Sequence, residues 1–158
     1  MIQIRRFEPR DAASVKKLIS EIMDSEFQDE KPAFSFEDLN ALNEFYGALG
    51  EAFFVAEDGK KLVGTVGVKR EDERVALIQR IFVDPEYRHK KVGLQLLNRA
   101  IEFCGEVGYQ DLVFKTTSRM TGAIDLFKKR GFQSRAKVNL GRLELLKLTF
   151  PLKKELTR

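Results

Sequence analysis

The sequence predicts one α/β (α+β) domain, a mixed, mostly antiparallel sheet of about seven strands flanked by about four helices. Three observations lead there. Strand-like apolar segments interleave with segments whose apolar residues fall three and four apart, in the order strand, two helices, three strands, helix, strand, helix, two strands. The dipeptide Asp58-Gly59 sits between two of the strand-like runs and tolerates the positive φ of a tight hairpin, so neighbouring strands are antiparallel there. The chain of 158 residues, 43% apolar and 33% charged, suits one core of its own, with no repeat or linker dividing residues 1–158.

The elements follow in chain order. Ile2, Ile4 and Phe7 alternate with polar residues and predict a first strand. Residues 9 to about 25 predict a helix with the apolar stripe Ala12, Val15, Leu18, Ile19, Ile22 and Met23. Residues 28–32 are the most loop-like interior stretch. Ser35 then precedes FEDLNALNEFYGAL, whose acidic first turn favours a second helix. AFFVAEDGKKLVGTVGVKR predicts the hairpin. RVALIQRIFV, apolar on both faces, predicts a central strand. Val92, Leu96, Leu97, Ala100, Ile101 and Cys104 mark a helix that ends at Gly105 or Gly108. QDLVFKTT reads as a strand and TGAIDLFKKR as a short helix closed by Gly131. Two strands near residues 132–138 and 143–150 complete the set.

Composition narrows the function. No apolar run approaches the roughly 20 residues of a membrane span. The start, MIQIRRFEPRD, lacks a signal-peptide core, which points to the cytoplasm. With Cys104 the sole cysteine and His89 the sole histidine, no disulfide or cysteine cluster forms, and a metal site is disfavoured. Cys104 lies on an apolar stripe and reads as inert core. The formal charge of +4 fits an anionic ligand, while no interleaved basic–aromatic pattern speaks for nucleic acid.

The stretch DPEYRHKKVGLQLL, residues 84–97, places Arg88, Lys90 and Lys91 where a helix begins. A helix start is already partly positive, so cations there are disfavoured unless an anion joins them. Free N–H groups at that end, with Gly93 permitting close approach, would hold two phosphates of a nucleotide-like cofactor. A solvated basic turn is the alternative on these residues alone. Neither a Walker pattern nor G-x-G-x-x-G is present.

IFVDPEYRHKKVGLQLL, followed about twenty residues later by LVFKTTSRMTGAIDLFKKRGF, resembles the GNAT superfamily of acetyl-CoA-dependent N-acetyltransferases. Arg88, Lys91 and Gly93 take the fixed places of its R/Q-x-x-G-x-G/A signature. Ala123, Leu126, Phe127, Gly131 and Phe132 take those of a second pattern, A-x-x-hydrophobic-Tyr-x-x-x-G-F. The resemblance spans essentially the whole chain and implies a GNAT-like fold with acetyl-CoA as acyl donor and no metal. It implies that the pyrophosphate lies on the backbone N–H groups of His89, Lys90, Lys91, Val92, Gly93 and Leu94. It also implies that Ile81, Phe82 and Val83 pair with the pantetheine arm, and that Thr117 and Ser118 sit near a splay between two strands. Val83 N–H would polarise the thioester oxygen. Ser118 would either donate to the leaving thiolate or cap the next helix, with Thr121 the other candidate cap. Phe27, Phe34, Phe45 and Tyr46 fall in the segment that lines the acceptor cleft in such proteins. A homodimer paired through late strands is a further implication.

Four positions depart from that pattern. Lys91 replaces a glycine, and its ammonium either binds phosphate or crowds it. Phe127 stands where many members carry a tyrosine that protonates the thiolate, Leu77 where several carry a glutamate base, and Met120 where many carry an asparagine. A thiolate with a pKa of roughly 8.5 leaves without an acid. The base matters more. Near pH 7 a lysine amine is neutral about once in 2,500, an α-amine about once in seven, a difference of roughly 3.4 kcal/mol. The expected acceptor is therefore a low-pKa primary amine, of an amino acid or another small metabolite, with Glu44, Glu73 or Tyr46 as candidate bases through water. The departures also leave open a CoA-binding sensor without turnover.

Overall fold

Short-range patterns place most elements of the computed structural model, which describes residues 1–152; the last six residues of the domain expected over 1–158 lie outside the described residues. Strand β1 is Ile2–Arg6. Pro9–Asp11 forms a 3-10 turn held by reciprocal bonds between Glu8 and Asp11, and α1, Ala12–Glu26, continues from it. Its buried stripe is Val15, Leu18, Ile19, Ile22 and Met23, while Ala12 faces solvent. Residues 28–32, expected as loop, lie within a 3-10 helix, Gln28–Ala33.

The second helix is broken, contrary to expectation. It consists of a 3-10 turn, Glu37–Asn40, and the single α-turn α2, Leu42–Phe45, separated by Ala41 at φ −151°, ψ 55°. The acidic residue that favoured a helix start is the cause: Asp38 turns inward to accept a 2.8 Å hydrogen bond from Tyr46 and an ion pair from Arg80. A buried carboxylate with three donors outweighs the few tenths of a kcal/mol of a surface helix charge.

The hairpin strands β2, Ala52–Asp58, and β3, Lys61–Arg70, turn at Asp58-Gly59 as the sequence predicts, with Gly59 at φ 62°. Then come β4, Val75–Val83; a 3-10 turn, Pro85–Tyr87; α3, Val92–Val107; β5, Asp111–Thr117; α4, Thr121–Arg130; β6, Gln133–Leu140; and β7, Leu143–Phe150. Helix α3 ends at Gly108, the later of the two candidate stops, and α4 at Gly131.

The strands form one seven-stranded sheet in the order β1-β2-β3-β4-β5-β7-β6. Every pairing is antiparallel except β4 with β5. This matches the predicted fold class, with β4 at the centre of the sheet. Helices α3 and α4 cover one face, where Phe54, Val66, Ile78, Leu96, Leu97, Leu112 and Phe127 make the main core. Helix α1 and the broken segment cover the other, packing Val15, Ile19, Met23 and Tyr46 on Phe53 and Val55. Each fully buried leucine or phenylalanine contributes about 1.5–3 kcal/mol. Among the described residues no helix is long and apolar enough to cross a membrane.

Candidate functional site

The central strand and its parallel neighbour stay together only briefly. Val75, Ala76 and Leu77 pair with Asp111, Leu112 and Val113, and there the pairing stops. Beyond it β4 pairs with β3 alone and β5 with β7 alone, so the sheet opens into a V. Asp84 N–H donates to Val63 O at 2.8 Å, while Val83 lies opposite Gly64. Antiparallel neighbours alternate in direction, so the Val83 N–H points away from β3, to the edge that β5 has left. That edge is one wall of a cleft of about 1450 Å³.

A bulge at Arg80 shapes the same edge. The register slips between Thr65 and Gly67 of β3, and Arg80 takes φ 56°. One extra residue in β4 puts two consecutive side chains, Gln79 and Arg80, on the α1 face. There Arg80 pairs with Asp38 at 2.9 Å, Tyr46 donates to Asp38 at 2.8 Å, and Gln79 donates to Tyr46 at 2.8 Å. Thr65 Oγ1 closes the bulge by donating to Arg80 O. This network escaped the sequence reading, although the polar doublet Gln79-Arg80 inside VALIQRIFV was its signal.

The cleft runs from the edge of β4 onto the loop before α3. His89 and Lys91 both have left-handed backbone, φ 67° and 63°. Alternating left-handed residues turn successive N–H groups to one side and make an anion-binding concavity. The first α3 bond is Gln95 N–H to Lys91 O, so the N–H groups of Val92, Gly93 and Leu94 precede the helical ladder. They lie at the partly positive helix end. A Cβ on Gly93 would stand 3.2 Å from Leu126 and 3.6 Å from Val83, so glycine lets α3 start close against α4 and β4. The backbone of Lys91 accounts for the glycine expected there: the position is left-handed, and a lysine bears the strain.

Ile81, Phe82, Val83, Arg88, His89, Lys91, Val92, Gly93 and Leu94 all line this cleft. Four other residues named from the sequence do not. Lys90 lies over the ring of Tyr87 at 5.0 Å. Tyr87 packs beside the loop and donates to Asp58 at 2.8 Å, a bond that raises its own pKa and lowers that of Asp58. Thr117 is buried, and Thr116 lines the cleft in its stead. Phe127 is wholly buried and stacked on Phe114 at 3.8 Å, so it backs a wall that Phe114 faces. Ser118 lines a smaller adjoining pocket of about 560 Å³. The capping expected of Ser118 or Thr121 is absent: Met120 is the N-cap of α4 with no side-chain cap bond, and its sulfur accepts from Thr116 at 3.1 Å. The chain turns into α4 one residue after Arg119, too late for Ser118 and too early for Thr121.

Arg88 reaches across the mouth. Its guanidinium holds both carboxylate oxygens of Glu26 at the end of α1, at 2.6 and 2.8 Å. Phe27, Phe34, Phe36 and Phe45 line the α1 side of the cleft. Tyr46 lies beneath them, buried, and its hydroxyl is pushed well above its ordinary pKa by burial and by the Asp38 charge. It holds its proton at neutral pH. Glu44 is exposed outside the cleft lining, and Glu73 lies in the β3–β4 turn, at the opposite end of β4 from Val83. Glu44 and Glu73 therefore stand away from the V, while the Tyr46 hydroxyl lies beside Gln79 of β4 and keeps its proton. Among the described residues no cluster of histidine, cysteine or carboxylate groups could hold a metal ion.

Residues 16–132 match the family model described as the acetyltransferase (GNAT) family. An uncharacterized N-acetyltransferase of Methanocaldococcus jannaschii is 34% identical over 103 residues, 61% of this chain and 45% of that protein. N-acetyltransferase 8B of Rattus norvegicus is 33% identical over 89 residues, 53% of this chain and 40% of that protein. The chain thus aligns with less than half the length of these relatives. Among solved structures, a GNAT-family acetyltransferase of Staphylococcus aureus Mu50 superposes with TM-score 0.82 at 23% identity, covering 97% of this chain and 100% of that one. A Salmonella typhimurium protein described as a putative acetyltransferase, solved with its cofactor acetyl-CoA, superposes with TM-score 0.79 at 20% identity, covering 96% and 94%.

Proposed function

As the chain belongs to the GNAT acetyltransferase family, we propose that it transfers an acetyl group from acetyl-CoA to a primary amine of a small molecule or amino acid, by direct attack in a ternary complex. One observation carries the reading: an unpaired edge of β4 leads, through the short turn Pro85–Tyr87, into a loop of left-handed residues and a bare helix start. An extended arm with amide groups can add to the edge as a strand would, and a diphosphate suits the helix start. The N–H groups from His89 to Leu94 hold the pyrophosphate, with Lys91 beside it. The Ile81, Phe82 and Val83 edge holds the pantetheine arm.

The neutral amine attacks the thioester carbon from the aromatic side. Val83 N–H donates to the oxygen as it gains charge. The carbon–sulfur bond then breaks, the thiolate departs, and the ammonium proton passes to water. Ser118 stands outside the main cleft and Phe127 has no hydroxyl, so the thiolate leaves unprotonated, as its roughly 8.5 pKa permits. Asp38, the cleft carboxylate beside the β4 bulge, is engaged by Arg80 and Tyr46, so an already neutral amine is favoured, which selects α-amines over lysine side chains. Exposed Val138 and Leu140 on the edge strand β6 support pairing of two copies through late strands.

The test is a thiol-release screen with acetyl-CoA against amino acids, polyamines, aminoglycosides and peptides. Release is expected with α-amines at neutral pH, and acetyl-CoA is expected to raise the melting temperature. Absence of both overturns the reading. Rates that favour lysine side chains or long polyamines overturn the choice of amine.

A further inference from the structure

The smaller pocket holds a carboxylate that none of these steps uses. Glu30, in the 3-10 helix after α1, is only 2% exposed. Its Oε1 is buried and has no hydrogen-bond partner. The neighbouring cation is Arg119, whose Nε lies 3.4 Å away without hydrogen-bond geometry and whose side chain is 62% exposed. Arg119 also reaches Asp29 at 3.8 Å. Leaving water without gaining donors is costly for a carboxylate. A well-aligned cation would supply what Arg119 does not.

The position of this pocket gives the carboxylate its meaning. Glu26, Phe27, Arg119 and Thr121 line both it and the large cleft, so the two adjoin through a shared wall. A molecule seated against the Phe27 side of the large cleft can extend one end past Arg119. The small pocket is acidic as well: Glu26, Asp29 and Glu30 line it, with Arg119 the one cation among its described lining residues and Arg88 holding Glu26 from the large cleft. Thr117, one residue before the lining Ser118, carries another buried oxygen with no partner, its hydroxyl, behind the pocket wall.

We propose that Glu30 determines acceptor specificity: its carboxylate binds a second, non-reacting cationic group of the amine substrate, with Arg119 swinging out to solvent as that group enters. The inference rests on the transfer reading and narrows its acceptor to a compound that carries a cation remote from the reacting amine. A basic amino acid acetylated on its α-amine has both properties. The low-pKa amine reacts at Val83, and the side-chain cation replaces Arg119 on Glu30. The exchange breaks one ion pair and makes another, so the buried charge stays compensated throughout.

Two matched pairs of amines test it: arginine against citrulline, and lysine against norleucine. Each pair keeps the α-amine and chain length and differs in the distal charge. Thiol release is measured for the wild type, Glu30→Gln and Arg119→Gln. The wild type is expected to favour the cationic member of each pair by about 10- to 100-fold in kcat/KM, the range of a hydrogen bond to a charged group. Glu30→Gln should abolish that preference and leave citrulline and norleucine within about twofold of wild type. Arg119→Gln, on an exposed side chain, leaves Glu30 in place and should lower KM for arginine and lysine alone. Equal rates within the pairs overturn the proposal, as does a Glu30→Gln effect shared by all four amines. Silence from all four, while acetyl-CoA still raises the melting temperature, overturns this inference and leaves the transfer reading standing. Loss of the acetyl-CoA shift as well removes both.

Discussion

Replacing Lys91 by glycine separates two roles that one residue combines. The backbone of Lys91 lies at φ 63°, a conformation that costs an L-residue about 1–2 kcal/mol and glycine nothing. Glycine's greater freedom in the unfolded chain offsets about 0.5–1 kcal/mol of that gain. The net expectation is a variant more stable by about 0.5–1 kcal/mol, or about 1–4 °C in melting temperature for a chain of this size. The side chain acts oppositely. Its ammonium is exposed beside the bare N–H groups of α3, and its loss removes about 1 kcal/mol of attraction to a phosphate, a fivefold weaker Kd for acetyl-CoA. Scanning calorimetry of the free protein and titration calorimetry with acetyl-CoA read the two effects separately. The reasoning predicts that stability rises while affinity falls. Tighter binding shows that the side chain crowds the pyrophosphate, and unchanged or lower stability refutes the strain argument.

Two further outcomes follow from ion pairs. Glu26→Gln releases Arg88 from its bidentate partner, a half-exposed pair, so the guanidinium becomes available to phosphate. Acetyl-CoA should bind about three- to fivefold tighter, equivalent to about 1 kcal/mol, and weaker binding by calorimetry shows instead that Glu26 positions the loop. Asp11 accepts two hydrogen bonds from Arg5 and one from Glu8 N–H, each 2.8 Å, and the Arg5 bonds hold its carboxyl below the ordinary range. A depressed carboxyl adds stability that is present above the unfolded value and lost as pH falls through the folded one. Asp11→Asn should therefore cost about 2 kcal/mol at pH 7 and progressively less below pH 4, measured by urea unfolding at several pH values. A constant gap refutes the assignment.

Helices α3 and α4 were legible because their apolar residues repeat at helical spacing and a glycine closes each; Gly108 and Gly131 take the left-handed backbone that only glycine adopts cheaply. The loop before α3 raised an expectation of a different kind, an anion at a helix start whose dipole disfavours cations, and the structure adds the left-handed backbone of His89 and Lys91 there. The second helix misled because Asp38 looks the same whether it stabilises a helix start or accepts from Tyr46 and Arg80. That distinction depends on residues 8 and 42 positions away. Phe127 and Thr117 lie on the elements the motifs mark, but a motif does not say which face a side chain takes. Glu30 gave no local sign at all, because it is covered by distant segments, Arg119 and strand β7, that fold against a stretch that reads as loop.

The three-residue pairing of β4 with β5 has a consequence for how the molecule opens. Strands β1 to β4 form one continuous ladder and β5 to β7 another, and the backbone bonds that join them are confined to one end. Such a seam is where cooperative units divide in native-state exchange. A donor molecule laid along the free edge of β4 would occupy the missing part of the seam and add its binding free energy to the cohesion of the two halves. Slowed amide exchange after binding would then extend beyond the contact residues into β5 and β7. The gap proposed to admit the donor thus leaves the two ladders joined through their backbones at one end, with the α3 and α4 core spanning the rest.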